Sequence, residues 1–234
     1  MRFGVFSDAH GNPHATAACI RVLRDRGAER LLFLGDAIGY LGHPRETIEM
    51  IEEVAAVCLI GNHEAYALGR ASYPPEREPA YRTQEAARDL GAAGLARMDQ
   101  RAPFWVHREA SGDILFVHGS PWDPLSGCVY PDTHLAAFAH LPYRAVVMGH
   151  THRPFVERSG QTLVLNCGSC GLPRDRGDLG SCALVDTDTL EVDIVRFPID
   201  AGLAIQGDPG VHESVVRLFS RRPADDGPAR GGSA

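Results

Sequence analysis

A chain of 234 residues, 44% hydrophobic and 23% charged, has the length of one generous domain and enough apolar residues to bury a core without disulfides. Its composition excludes disordered, collagen-like and coiled-coil chains. A net charge of −7 excludes tight non-specific binding to nucleic acid or an anionic membrane, so nucleic acid enters only as a substrate.

Apolar runs such as residues 54–60 are far short of the roughly 20 residues a membrane helix needs. The first apolar stretch stops at Ser7-Asp8, too early for a secretory leader, and six cysteines without a leader read as reduced thiols. A cytoplasmic location is therefore expected. Cys167-Gly168-Ser169-Cys170 has C-x-x-C spacing but neither a redox setting nor a second pair for zinc. All 23 basic residues are arginine and only three asparagines occur, Asn12, Asn62 and Asn166, each in a polar turn after an apolar run.

In chain order, residues 2–7 form a short apolar strand, and Ala15, Ala18, Cys19, Val22 and Leu23 fall on one face of a helix that Gly27 stops. Residues 31–34 and 57–60 are further apolar strands, with a helix starting at Pro44 between them. Strands apolar throughout and alternating with helices predict buried strands in an α/β arrangement. Residues 69–79 read as a loop, and 80–98 as a helix weakened by Gly91 and Gly94. Strands at 104–107 and 114–117 flank a hairpin signal at Ser111-Gly112, and Asp132 is placed to cap a helix over 132–139. Strands at 145–148, 155–157, 163–165, 182–185 and 192–197 follow, which reads as a largely antiparallel second half. The whole is expected to be one domain over residues 1–220, two packed sheets with helices outside, and residues 221–234 a disordered tail.

One pattern recurs: an apolar strand ends, a tight turn follows, and Asp, Asn or His sits at the tip. It occurs at Asp8-x-His10, Gly35-Asp36, Gly61-Asn62-His63, His118-Gly119 and Gly149-His150-x-His152. Each tip alone is ordinary, since Gly-Asp is a common turn and Asn tolerates left-handed backbone. Together they are specific, because strand carboxyl ends of an α/β sheet gather at one edge. Imidazole and carboxylate or amide oxygen without thiolate suit hard or borderline divalent metals, and seven ligands exceed one four-coordinate site. Two metals about 3.5–4 Å apart would activate a water and clamp a phosphoryl group.

These blocks, Asp8-x-His10-Gly11-Asn12, Gly35-Asp36, Gly61-Asn62-His63-Glu64, His118-Gly119 and Gly149-His150-Thr151-His152, resemble the calcineurin-like metallophosphoesterases. The later Asn166-Cys167-Gly168-Ser169 and Pro173-Arg174-Asp175 are similar to a loop of the small bacterial and archaeal phosphodiesterases of that superfamily. The resemblance implies a four-layer α/β/β/α sandwich of two mixed sheets with flanking helices. It implies one metal on Asp8, His10, Asp36 and His152, and a second on Asp36, Asn62, His118 and His150, with Asp36 bridging. Mn or Fe is favoured; Zn, Ni and Co are compatible. The implied reaction is hydrolysis of small phosphodiesters or phosphomonoesters by direct attack of a metal-bound hydroxide. In it His63 contacts the phosphate and protonates the leaving oxygen, and Asn12, Asn62 and Arg174 are further substrate contacts. Glu64 either orients His63 or serves a helix N-terminus.

The segment Gly35-Asp36-Ala37-Ile38-Gly39-Tyr40 lacks the Asp-Arg-Gly of protein phosphatases and symmetric dinucleoside tetraphosphatases. Hydrolysis of dinucleoside polyphosphates or phosphoproteins remains an alternative. A non-catalytic binding module on this fold, as in the eukaryotic retromer subunit, can lose ligands or the catalytic His; here all are present. His43 lies near Asp36 in a loop that could line a cleft, and Trp105 and Trp122 read as packing residues, with Trp122 close enough to His118 to wall a pocket.

Overall fold

In the computed structural model, which describes residues 1–222, alternation along the first strand sets out the layers. In β1 (Arg2–Phe6), Phe3 and Val5 face one core cluster and Phe6 the other, as a period of two requires. Helix α1 (Pro13–Asp25) follows, then β2 (Arg30–Phe33), α2 (Pro44–Val54), β3 (Ala55–Cys58) and α3 (Asn62–Ala67). After these come α4 (Glu78–Tyr81), α5 (Thr83–Asp99), β4 (Phe104–His107), β5 (Ile114–Val117), β6 (Ala145–Met148), β7 (Phe155–Ser159) and β8 (Thr162–Asn166). The remaining elements are β9 (Leu179–Asp186), β10 (Val192–Pro198), α6 (Ala201–Ile205) and α7 (Glu213–Leu218).

Two five-stranded mixed sheets result, in the orders β10-β9-β1-β2-β3 and β4-β5-β6-β8-β7. Phe3, Val5, Leu32 and Leu34 of the first meet Ile114, Phe116, Val147 and Leu165 of the second in a shared core. The outer face of the first sheet packs on α1, α2 and α5 through Cys19, Leu23, Ile48, Ile51, Leu90 and Met98. The outer face of the second packs on Val129 and Phe138, so its outer layer is a long connection with a 3-10 turn over Ala136–His140.

Several expectations need correction. The α-helix over 132–139 is absent; the Thr133 hydroxyl accepts the Tyr130 N–H at 2.8 Å and closes a turn around Pro131, and a 3-10 turn follows over Ala136–His140. The second half is largely antiparallel as expected, but β5, β6 and β8 pair in parallel at the centre of their sheet. Strands β9 and β10 cross back to the first sheet, where β9 pairs with β1. Edge strand β3 is only half-buried. The helix over 80–98 is broken twice, at Arg82 with φ 52° and at Gly91 with φ 63°. The hairpin between β4 and β5 matches its turn signal, and α2 begins at Pro44 as expected. All but the first two residues of the expected tail lie outside the described residues. Among the described residues, no helix is long and apolar enough to cross a membrane.

Phe3 joins the sheets most directly, standing edge-on to Phe116 at 5.8 Å and to Trp105 at 6.0 Å, with no exposed surface. Phe3→Ala should lower unfolding stability by about 3–5 kcal/mol in urea titration, the cost of a large unfilled core cavity; a loss below about 1 kcal/mol would show that the sheets are not held there.

Candidate metal centre

Every predicted tip reaches one place. Asp8 and His10 follow β1, Asp36 follows β2, Asn62 and His63 open α3 after β3, His118 follows β5, and His150 and His152 follow β6. Among the described residues, five of the eight non-glycine residues with positive φ are Asp8, His10, Asp36, His150 and His152. Left-handed backbone costs an L-residue about 1–2 kcal/mol, so the surroundings must over-determine these turns. They do: Asp8 N–H donates to Gly35 O at 2.9 Å, His10 N–H to Asp36 O at 3.0 Å and Gly11 N–H to Ala37 O at 2.8 Å, which zips the first tip to the second. A side chain on Gly35 would collide with the backbone of Gly61, and one on Gly61 with Asp36 and His118.

The side chains form two groups around one carboxylate. Asp8 Oδ1 lies 3.3 Å from His152 Nε2 and 3.8 Å from His10 Nε2, and Asp36 Oδ2 lies 3.8 Å from that same His10 nitrogen. On its other side, Asp36 Oδ2 lies 3.4 Å from His118 Nε2, which is 3.1 Å from Asn62 Oδ1. His150 completes this second group with Asp36 and His118. The other oxygen of Asp36 is occupied, accepting the His63 N–H at 2.9 Å.

The donors fit divalent cations. His10 Nδ1 donates to Ile38 O at 2.9 Å, His118 Nδ1 to Leu34 O at 3.2 Å, and His152 Nδ1 to Leu172 O. A carbonyl only accepts, so each Nδ1 carries a proton, and each ring in its neutral form turns an Nε2 lone pair inward. The Nε2 atoms of His10 and His152 are 3.1 Å apart, which sets lone pair against lone pair unless a cation lies between them. Burial and the adjoining His152 push the His10 pKa well below its ordinary value, which disfavours a proton in that role. Asp8 Oδ1 and His150 Nδ1 are buried without hydrogen-bond partners. Ions held at about 2.0–2.2 Å by each donor would place neighbouring donors about 3.0–3.4 Å apart, close to most of the separations here.

Burial pushes the Asp8 and Asp36 carboxyls up, yet the surrounding imidazoles hold both below the usual carboxylate range. Burial works against a charge on His118, but Asp36, Asp8 and Glu64 outweigh it and raise the ring to about 9. The field of Asp8 and Asp36 thus favours positive charge beside them, while burial and the neighbouring imidazoles push the His150 ring down to about 4.

A model of the calcineurin-like phosphoesterase superfamily domain matches residues 1–190. The chain belongs to this superfamily. It is similar in fold to a metallophosphoesterase from Sphaerobacter thermophilus, with a TM-score of 0.79 and 26% identity over 94% of this chain and 98% of that one. A hypothetical protein from Pyrococcus horikoshii shares the fold, with a TM-score of 0.80 and 21% identity over 93% and 97% of the two chains. An uncharacterized protein of Methanocaldococcus jannaschii is 27% identical over 214 residues, 84% of this chain and 87% of its own.

Beside the candidate metal centre of this phosphoesterase domain, His63 is 2% exposed and its Nδ1 lies against Gly39 without a hydrogen-bond partner. Burial pushes its pKa down to about 4, against the pull of Asp36. Arg174, half-buried, donates to the Tyr40 hydroxyl at 2.8 Å and stacks on its ring, 5.9 Å from the centroid. No carboxylate lies within ion-pair distance of it among the described residues.

Asn12 differs from its expected role as a substrate contact. It is fully buried, its oxygen accepts the Ala15 N–H at 3.1 Å as the cap of α1, and its amide donates to Gly171 O at 2.9 Å. His43 starts α2, with its ring against Gln206 O at 3.3 Å. Trp122 is 56% exposed and packs edge-on against Phe138. Tyr40, Tyr66 and Tyr81, not singled out from the sequence as site residues, contact the His63 ring. Their signal was present: four of the six tyrosines fall between positions 40 and 81, around the His63 block.

Glu64 does not reach for the His63 ring. Its Oε2 accepts the N–H groups of Gly61 at 2.8 Å and Asp36 at 2.9 Å, and its Oε1 that of Ala37 at 2.6 Å. It therefore caps α3 and clamps the loop that carries Asp36. Glu64→Ala would strand three buried N–H donors at about 1–3 kcal/mol each. The expected result is a stability loss of at least about 3 kcal/mol by chemical denaturation, with Glu64→Gln less affected because it keeps one acceptor oxygen. Equal, small losses in both variants would remove the clamp role.

Proposed function

We propose that the chain hydrolyses phosphodiesters and phosphomonoesters of small molecules, using two divalent cations. The observation that carries this reading is the pair of inward-facing donor groups that share Asp36 Oδ2. Asp8, His10, Asp36 and His152 would hold one cation; Asp36, Asn62, His118 and His150 would hold the other. The mixed nitrogen and oxygen donors favour Mn or Fe. When bound, the cations supply an activated water and neutralise charge on the phosphoryl oxygens.

The chain's own residues do the rest. The carbonyls of Ile38, Leu34 and Leu172 fix the tautomer and plane of three imidazoles before any ion arrives. Arg174 brings an uncompensated guanidinium to the rim, where a phosphoryl oxygen can take the place of a missing carboxylate partner. His63 stands over the shared carboxylate, its ring nitrogen within 4.8 Å of the donor atoms of His10 and Asp36. That position suits a donor to the leaving oxygen.

Calorimetric titration of metal-stripped protein with Mn²⁺ should give about two ions per chain, and the loaded protein should turn over an aryl phosphodiester or phosphomonoester. Turnover confined to a dinucleoside tetraphosphate or a phosphopeptide would replace the proposed substrate class. Fewer than one ion per chain would end the reading. Asp36→Asn should reduce ion binding more than any other single ligand change, because both groups use the same oxygen; retention of both ions with near-normal turnover would exclude the shared role.

His63→Ala should keep both ions and slow hydrolysis by about 10²–10⁴-fold on alkyl esters, which need a proton on the departing oxygen. Aryl esters, whose leaving groups depart as anions, should lose less. An equal loss on both classes, at matched metal content, would reduce His63 to a phosphate contact.

A further inference from the structure

The tyrosines beside His63 form a connected wall. Tyr40 and Tyr81 each lie 4.8 Å from the His63 ring and Tyr66 5.8 Å from it; Tyr73 joins at 4.7 Å from Tyr66 and 5.5 Å from Tyr81. Core packing accounts for two of them, since Tyr40 and Tyr81 belong to a small cluster with Leu41, Leu172 and Phe219. It does not account for Tyr66 and Tyr73, which are half-buried and belong to no core cluster. Beside Tyr66 opens a cavity of about 310 Å³ lined by Tyr66, Ala67, Thr83, Gln84, Ala87 and Arg88. Thr83 Oγ1 is buried without a hydrogen-bond partner. One residue, Tyr66, thus both contacts the His63 imidazole and lines the cavity.

We propose that this wall and cavity bind a planar aromatic group of the phosphate ester, on the side of the phosphorus that faces His63. The inference rests on the phosphoesterase reading and narrows its substrate class. With the phosphoryl group over the metal donors, the substituent nearest His63 meets the tyrosine faces. A tyrosine ring gives broad apolar contact with little side-chain entropy to lose, and aromatic pairs gain beyond their buried area. An aromatic group lying on Tyr66 directs its far edge into the cavity, where Thr83 Oγ1 and the Gln84 amide can pair with polar atoms on a heteroaromatic ring. A short alkyl substituent reaches neither.

Phosphonates separate recognition from chemistry, because their P–C bond is not hydrolysed and leaving-group strength does not enter. Mn²⁺-loaded protein would be titrated calorimetrically with phenyl-, cyclohexyl- and methylphosphonate. Phenylphosphonate should bind about tenfold more tightly than methylphosphonate and several-fold more tightly than cyclohexylphosphonate. Tyr66→Leu and Tyr73→Ala should each remove most of that preference, and Tyr73→Ala should leave methylphosphonate affinity within about twofold. Equal binding of all three ligands by the unsubstituted protein, or cyclohexyl binding as tight as phenyl, would overturn the aromatic site and leave the phosphoesterase reading standing. A preference unchanged in both variants would overturn the assignment to this wall. Failure of every phosphonate to bind would overturn both readings together. The comparison within the unsubstituted protein decides the matter even where a variant does not fold.

Discussion

Asp36 presents its two buried carboxylate oxygens to different partners, and the site is arranged around keeping it so. One oxygen accepts the His63 N–H in the first turn of α3; the other stands between the imidazoles of His10 and His118. Its backbone is left-handed at φ 60°, and its own N–H is held by Glu64. Glu64 sits on α3, as do Asn62 and His63, so one short helix sets both the carboxylate's orientation and two neighbouring groups of the site. That helix follows β3, and Gly61 at their junction lets the Asp36 and His118 side chains come within contact of the backbone.

Such an arrangement works against folding. Five residues at three of the tips have left-handed backbone, Asp8 Oδ1 and His150 Nδ1 lack hydrogen-bond partners, and two imidazole lone pairs face each other. These features persist because the frame around them is rigid: the core between the sheets and the core beneath α1, α2 and α5 are built from fully buried strand residues directly behind the tips. Cations in the two donor groups would relieve several of the conflicts at once. The polar centre is therefore incompletely satisfied by the protein alone, as expected of a site shaped for an ion rather than for stability.

Chemistry and recognition occupy different parts of the cleft. The floor is made of strand tips, whose positions follow from the sheets. The tyrosine side is made of α3 and the connection that follows it, where Arg82 breaks the helix between Tyr81 and Thr83. Arg82 is held in that break by ion pairs with Glu85 at 2.7 Å and with Asp208, far away in the chain. The segment after β10 thereby helps to position the rings around His63. Beside this wall, Arg174 is held against Tyr40 by a hydrogen bond and a contact with its ring, so the cationic contact and the aromatic wall share a residue.

The amino-acid sequence by itself determined the strand tips and hence the donor set, because each tip is covalently the next residue after an apolar run, and sheet geometry brings such ends to one edge. It also determined the alternation of strands and helices in the first half, where Gly27 and Pro44 act locally. Only the tertiary structure decided what depends on distant partners. The return of β9 to pair with β1 and the parallel pairing of β5, β6 and β8 are choices among strands of similar apolar character. The helical pattern over 132–139 gave way to a turn that the Thr133 hydroxyl closes and to a 3-10 turn whose Phe138 packs on the second sheet. Glu64 found three amides on two different loops, Asn12 was taken up by α1 and Gly171, and the tyrosines met around His63 from separate elements. Local sequence states which groups a residue can offer; which of them are left free to meet a ligand depends on neighbours that only the folded chain supplies.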